Sequence, residues 1–386
     1  MNDGSSDMKK IALITNIPNA YRIPLFNELM QQMHTEGMEL VVVFAAAGYE
    51  RRKSVINLEE CKFRYVILGS QGITPGNDTE KTYFSYEGLN TVLKKENPDC
   101  IIVSGFSMAT VKVWWYSFIN KKKYIIWSGS IAKKGRNDNP LRKFQRRFLV
   151  KNAASFVAYG SLASAYLQQF GADAETIAVG INTVDTGFFA EQTAIERNKM
   201  STDNRKHLLF TGYLVPRKKV DVLLKVIAGL AQLRNDFCID IIGDGSEKPV
   251  LEAFVKQQKL EDFVKFHGFK QKNELPVYLA QSSIFLFQTG FDIWGLTLNE
   301  AMAAGLPCIA SVNAGAATDL IQQGKTGYAV DYEQVDEVVQ IINQLLDNEE
   351  QAREMGSLAA AYIKEHATLK QSANGFVAAV KLAEKK

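Results

Sequence analysis

Cysteine is scarce and scattered. Cys61, Cys100, Cys238 and Cys308 are the 4 in 386 residues, with no Cys-x-x-Cys pair and no histidine at zinc-ligand spacing. That excludes a disulfide framework and a locally encoded zinc site, and it implies a reducing compartment. Long apolar runs are missing too. The stretch from Ile11 is broken by Asn16 and Pro18, well short of a signal-peptide core, and nothing approaches the roughly 20 apolar residues that cross a bilayer. A cytosolic chain is expected. Net charge is small: Lys+Arg 45 against Asp+Glu 42 leaves +3, which argues against a dedicated nucleic-acid binder. No Asp-x-Asp triplet occurs, so no dedicated site for a magnesium-bridged diphosphate is visible. The turn after the first apolar run holds no Gly-x-Gly-x-x-Gly, which disfavours a nicotinamide dehydrogenase.

What is present is a folded composition, 46% hydrophobic and 23% charged, on a chain long enough for two or more domains. Short apolar runs alternate with amphipathic stretches, the pattern of βα units in a parallel sheet. Strands are predicted at 11–15, 40–44, 65–68, 100–103, 124–127 and 156–158, and again at 208–211, 239–242, 264–267, 284–287, 308–310 and 328–330. Helices are predicted between them, among them 23–33, 86–95, 162–170, 220–233, 274–281 and 335–346. Two sheets of this size predict an α/β fold of two Rossmann-like doubly wound domains in tandem. Turn chemistry in 180–187 and the weakly periodic polar stretch 191–206 place the boundary between residues 186 and 187. The second domain is expected to run to 366, and the last helix, within 367–386, could pack on either domain.

The most informative segment is Phe291-Asp292-Ile293-Trp294-Gly295-Leu296-Thr297-Leu298-Asn299-Glu300-Ala301-Met302-Ala303-Ala304-Gly305-Leu306-Pro307. It leaves the carboxyl end of a strand, passes a glycine and enters a helix, the place where open α/β sheets bind anionic ligands on free amides. Asp292 lies in the loop and Glu300 in the first turns of the helix. The same residues also suit a structural role, Glu300 compensating the helix dipole and Asp292 turning the chain. Arg217 and Lys218, following the strand 208–211, could meet a diphosphate or start a solvated surface helix. His267 reads as a satisfied histidine at a strand end.

The carboxylate, seven residues, Glu, Ala-Met-Ala-x-Gly-x-Pro pattern resembles the signature of retaining glycosyltransferases of family 4, nucleotide-sugar enzymes of GT-B fold. Further segments agree in order: Phe210 to Leu223, Ile242-Gly243-Asp244-Gly245, Phe266-His267-Gly268-Phe269, Gly324 to Tyr328, and Asn182-Thr183-Val184-Asp185. The resemblance covers most of the second half and about a third of the first. It implies two domains facing a central cleft, the first binding acceptor and the second a nucleotide-diphosphate sugar. It makes Lys218 and Arg217 contacts for the leaving diphosphate together with the amides of Gly295, Leu296 and Thr297. Glu300 becomes a ribose-hydroxyl acceptor and Asp292 a sugar-hydroxyl acceptor, while Gly212, Gly268 and Phe269 line the donor. It also implies retention of configuration, no metal and no cofactor, the nucleotide sugar being a substrate. Asp292 stands where the family usually has Glu, and Tyr213 where an Arg is common. No histidine occurs between His34 and His207 to match a sugar-contacting one, and the first loop is Asn16 to Arg22 rather than glycine-rich; Tyr21 and Arg22 are placed on the acceptor side.

Charge is uneven along the chain. Residues 1–190 carry 23 basic and 17 acidic side chains, and 191–386 carry 22 and 25. From Lys112 to Lys151 there are twelve Lys or Arg and one acid, Asp138. Asn139-Pro140 predicts a helix start, after which Leu141, Phe144, Phe148 and Leu149 share a face. Arg142, Lys143, Arg146 and Arg147, joined by Lys133, Lys134, Arg136 and Lys151, form the basic surround expected of a helix on an anionic membrane. The same apolar residues could instead face the domain core, as could Trp114, Trp115, Tyr116 and Phe118. The expected function is transfer of a sugar to a lipid-linked or membrane-associated saccharide, in cell-surface polysaccharide or glycolipid synthesis at the cytoplasmic membrane face. The alternatives are a nucleotide-sugar epimerase of the same architecture and a non-catalytic two-domain ligand-binding module.

Overall fold

The computed structural model describes residues 8–48, 56–70, 72–73, 82–132, 139–199 and 205–385. The chain divides into two compact units, residues 1–184 with 369–386, and residues 185–368.

The first unit runs β1 (Lys9–Thr15), α1 (Ile23–Thr35), β2 (Met38–Phe44), β3 (Arg64–Ile67), the short antiparallel pair β4 (Gly72–Ile73) and β5 (Tyr83–Phe84), α2 (Leu89–Glu96), β6 (Cys100–Ser104), α3 (Met108–Asn120), β7 (Lys123–Ser128), α4 (Pro140–Asn152), β8 (Ser155–Ala158), α5 (Ser161–Gln169) and β9 (Ile177–Val179). Seven strands form a parallel sheet ordered β3-β2-β1-β6-β7-β8-β9. The central strands are apolar on both faces, with Ile11 to Ile14 and Ile101 to Val103 all buried, because helices cover both sides of the sheet.

The second unit opens with α6 (Thr186–Arg197), followed by β10 (Lys206–Thr211), α7 (Val220–Ala231), β11 (Phe237–Ile242), α8 (Lys248–Gln257), β12 (Val264–Gly268), α9 (Leu275–Gln281), β13 (Ser282–Phe287), α10 (Leu296–Ala303), β14 (Cys308–Ser311), α11 (Gly315–Leu320), β15 (Gly327–Val330), α12 (Val335–Asp347) and α13 (Glu349–His366). Its six parallel strands are ordered β12-β11-β10-β13-β14-β15. The polar stretch from residue 191, expected as linker, is helical as far as Arg197. Asp185 caps that helix, its side chain accepting from the Phe188 amide at 3.1 Å. The last helix, α14 (Leu369–Lys385), belongs to the first unit. It buries Phe376 against Trp127, ring centroids 5.0 Å apart, and Ala379, whose carbonyl accepts from the Ser155 hydroxyl at 2.6 Å.

Candidate functional site

In the second sheet β10 and β13 are neighbours, but the chain leaves β10 for β11 on one side and β13 for β14 on the other. The carboxyl ends of β10 and β13 thus flank a topological switch point, where ligands of such sheets bind. The loop after β10 is drawn tight: the Gly212 amide donates to the Ile242 carbonyl at 2.9 Å. Gly243, at φ +150°, sits so close that a Cβ there would lie 1.8 Å from the Gly212 oxygen. A single 3₁₀ turn, Pro216–Lys218, then turns Arg217 and Lys218 toward the loop after β13.

These two cations meet Asp292. Lys218 is 5% exposed and its ammonium donates to Asp292 Oδ2 at 2.7 Å while standing 4.9 Å over the Phe287 ring. Arg217 donates to the Phe291 carbonyl at 2.7 Å and lies 3.5 Å from Asp292 Oδ2. Burial alone would raise the Asp292 carboxyl. The adjacent Lys218 ammonium, with help from Arg217 and the Trp294 amide, holds it below the ordinary carboxylate value. The backbone of Asp292 is pinned as well, its amide donating to Asn313 and its carbonyl accepting from Gly315, both at 3.0 Å.

Gly295 turns the chain into α10. It lies at φ +107°, and a Cβ there would be 2.3 Å from the Phe287 ring, so no other residue fits without displacing that ring. Leu296 and Thr297 follow on the first turn, where backbone amides lack the i−4 acceptor of a helix interior, and the Leu298 amide donates to the Gly295 carbonyl at 3.0 Å. The Thr297 hydroxyl is buried and has no partner among the described residues. Glu300 is half-buried, and burial pushes its carboxyl up to about 8, with the Lys272 ammonium opposing. Lys272 itself lies 3.5 Å from Asp185 and 4.1 Å over the Phe188 ring. It was not among the sequence candidates; no motif marks it. Gly268, at φ +69°, accepts from the Gly243 amide at 2.8 Å, and Phe269 beside it is half-buried.

His267 faces inward. Its Nε2 is 2.6 Å from Asp240 Oδ1, and His207 Nδ1 is 2.7 Å from Oδ2 of the same carboxylate. Burial would raise Asp240, but these two imidazoles lower it. Cys238 adjoins His207, so that ligand-type atoms of His207, Cys238 and Asp240 lie within 4.8 Å of one another. Adjacent strands assemble this trio, which local spacing cannot signal.

In the first unit, Tyr21 and Arg22 lie in the connection from β1 to α1. Arg22 is buried under Tyr159 and Trp127. On α4, Arg142, Lys143 and Arg147 are exposed. Arg146 corrects the expectation of an outward cation: it donates to the Tyr166 hydroxyl of α5 and lies 5.7 Å over the Phe106 ring, these aromatic partners drawing the guanidinium inward. Lys133, Lys134 and Arg136 lie outside the described residues. Leu149 packs in the core, whereas Leu141, Phe144 and Phe148 are 71%, 68% and 38% exposed. From α3, Tyr116 is buried but Trp115 and Phe118 are exposed, and Trp114 stacks edge-on against Phe148 at 4.8 Å. No described helix is long and apolar enough to cross a membrane.

Residues 191–361, which carry Arg217, Lys218, Asp292 and Glu300, match the family of Glycosyl transferases group 1. The second unit is a group 1 glycosyltransferase domain. Among curated proteins similar to this chain is the GDP-mannose-dependent alpha-(1-6)-phosphatidylinositol monomannoside mannosyltransferase of Mycobacterium tuberculosis, 30% identical over 47% of the chain and 49% of the relative. Another is the N-acetyl-alpha-D-glucosaminyl L-malate synthase of Bacillus anthracis, 31% identical over 46% of each. The chain thus spans about half the length of the curated relatives it matches. Across nearly its whole length, 97%, it superimposes on all of Anabaena Alr3699/HepE, solved with UDP, at TM-score 0.75 and 18% identity. Two parallel-sheet Rossmann-like domains in this arrangement of strands are the GT-B fold.

Proposed function

We propose that the chain transfers a sugar from a nucleotide-diphosphate donor, with retention of configuration, to a lipid-linked or membrane-associated saccharide in cell-surface polysaccharide or glycolipid synthesis. The observation that carries this reading is the buried Lys218 ammonium, held by Asp292 at the switch point of the second sheet and followed by the open amides of α10. A diphosphate leaving group develops negative charge as its bond to the sugar breaks. Fixed cations and amides stabilise that charge without reorganising. Lys218, Arg217 and the Leu296 and Thr297 amides supply them, and the Thr297 hydroxyl, without a partner among the described residues, adds a donor. With the leaving group so stabilised, the bond from the sugar to the diphosphate breaks and the acceptor hydroxyl attacks the same face through an oxocarbenium-like state, its proton passing to the departing diphosphate oxygen. Asp292 accepts from a sugar hydroxyl, Glu300 from the ribose, Gly268 and Phe269 line the base, and Gly212 lies against the donor. Charge neutralisation rests on side chains, so the reaction runs without metal or cofactor and survives chelator.

The acceptor reading draws support from the first unit. Phe144, Leu141, Trp115 and Phe118 expose apolar surface next to Arg142, Lys143 and Arg147, a combination suited to an anionic membrane rather than to water. On this reading the protein acts as a peripheral protein of the cytoplasmic face.

The decisive measurement is mass spectrometry of donor turnover across common nucleotide sugars with membrane extract as acceptor source, with and without EDTA. The expected result is one preferred donor, a glycoside product, and loss of turnover in Glu300→Ala. No binding or turnover of any nucleotide sugar overturns the reading, and a free epimerised donor with no glycoside replaces it with an epimerase.

A further inference from the structure

The first sheet has its own switch point. The chain leaves β1 for β2 on one side and β6 for β7 on the other, so the carboxyl ends of β1 and β6 diverge. A pocket of about 240 Å³ opens there, reached by Thr15 and Ser104 from the two strand ends and walled by Asn19, Arg22, Trp127 and Tyr159.

Among the described residues the buried cation of this pocket has no counter-ion. Arg22 is 7% exposed, its guanidinium lies 4.2 Å over the Trp127 ring and donates to the Tyr159 hydroxyl at 2.6 Å. Among the described residues no carboxylate pairs with it. A buried charge is costly unless paired, and neutral hydroxyls and ring faces compensate it only in part. Two more polar atoms at the same place lack partners among the described residues, Trp127 Nε1, on a residue 2% exposed, and Asn19 Oδ1. The thirteen-residue helix α1 starts at this point, adding the positive end of its dipole. A guanidinium fork, an indole N–H and a helix start are donors suited to an oxyanion; the Asn19 oxygen and the Thr15 and Ser104 hydroxyls suit the hydroxyls of a sugar.

We infer that this pocket is a subsite for a sugar bearing an oxyanion, a carboxylate or a phosphate, with Arg22 reading the charge. Its assignment to the acceptor rests on the transferase reading above; the binding itself does not.

The test uses the full chain with D-glucuronate, D-glucose 1-phosphate and D-glucose, read by saturation-transfer NMR and by tryptophan fluorescence. One or both anions should bind at least tenfold more tightly than glucose, and which one does so identifies the oxyanion. Arg22→Gln should lose at least tenfold of that affinity. Trp127→Phe, which keeps an aromatic face but removes the indole N–H, should lose a few-fold by saturation-transfer NMR and so covers the case in which Arg22→Gln fails to fold. Lys218→Met, which disables the phosphate site of the second unit, should leave D-glucuronate binding unchanged, since glucuronate carries no phosphate for that site. Equal binding of glucose, full binding by folded Arg22→Gln, or loss confined to Lys218→Met overturns the inference. Anion binding without nucleotide-sugar turnover sinks the transferase reading alone, and turnover without anion binding sinks the subsite alone.

Discussion

Lys218 and Asp292 constrain each other, and the pair separates donor binding from stability. Replacing Lys218 by Met keeps the apolar stem over Phe287 but leaves Asp292 facing only Arg217. Removing one partner of a desolvated charge pair costs about 2 kcal/mol or more, so nucleotide affinity should fall roughly 30-fold or further by calorimetry. The depressed Asp292 carboxyl contributes stability above the ordinary carboxylate value and loses it as pH falls through its folded value; in Lys218→Met, where the folded value is no longer held as low, that acid-dependent loss should be smaller. Glu300 works in the opposite sense. Its carboxyl, raised to about 8, is mostly protonated at neutral pH, whereas accepting from ribose hydroxyls requires the carboxylate. Binding therefore releases a proton, and donor affinity should rise by up to about tenfold per pH unit as pH climbs toward 8, then level off. Glu300→Gln should flatten that profile and weaken binding. It should also be more stable than the parent above neutral pH, since ionising a carboxyl of raised pKa costs folding energy from its unfolded value upward. An affinity that falls between pH 6 and 8 would remove the ribose role.

At the level of elements, the strands were legible because both faces of each are buried, which writes a continuous apolar run. All six strands of the second sheet lie where such runs occur. β9 was not legible: Ile177–Val179 is three residues long and partly exposed at the sheet edge, too short for a pattern. The helix α6 was missed because its polar surface dilutes the apolar period, although the Asp185 cap was present in the sequence. The loop carrying Asp292 and the start of α10 could be read from glycine and carboxylate spacing. The Arg217, Lys218 and Asp292 contact could not be, since it joins loops far apart in sequence. On α4 the start signal was legible, the Asn139 side chain accepting from the Leu141 amide at 2.9 Å, but which face looks outward was not. Helical spacing groups Leu141, Phe144 and Phe148 equally well with core or lipid, and only packing shows them exposed beside inward-turned Arg146. Each cation near an anionic bilayer is worth about 1 kcal/mol, so Arg142→Gln with Arg147→Gln should weaken binding to phosphatidylglycerol vesicles about 30-fold in flotation assays. Phe144→Ser should weaken it on neutral and anionic vesicles alike, and nucleotide binding should be untouched by either. Vesicle binding that survives both changes would remove the membrane role of this face.

At the scale of the molecule, the near-neutral sum hides a first half with excess positive charge and a second half with excess negative charge. The chain also does not divide its length simply: α14 follows the whole second unit yet supplies part of the first unit's core. Phe376 is fully buried against Trp127, whose other neighbours include the Arg22 guanidinium, so the carboxyl-terminal helix supports the wall of the Arg22 pocket. Phe376→Ala removes an aromatic ring from a site closed by α14 and the sheet, a change that costs about 3–5 kcal/mol. By differential scanning calorimetry the transition of the first unit should move down. The transition that nucleotide stabilises, belonging to the second unit, should stay in place. Binding of anionic sugars should weaken together with the lost Trp127 support, while nucleotide affinity holds. If nucleotide affinity fell in step with anionic-sugar binding, Phe376 would be acting on both units, and the assignment of α14 to the first unit's stability alone would fail.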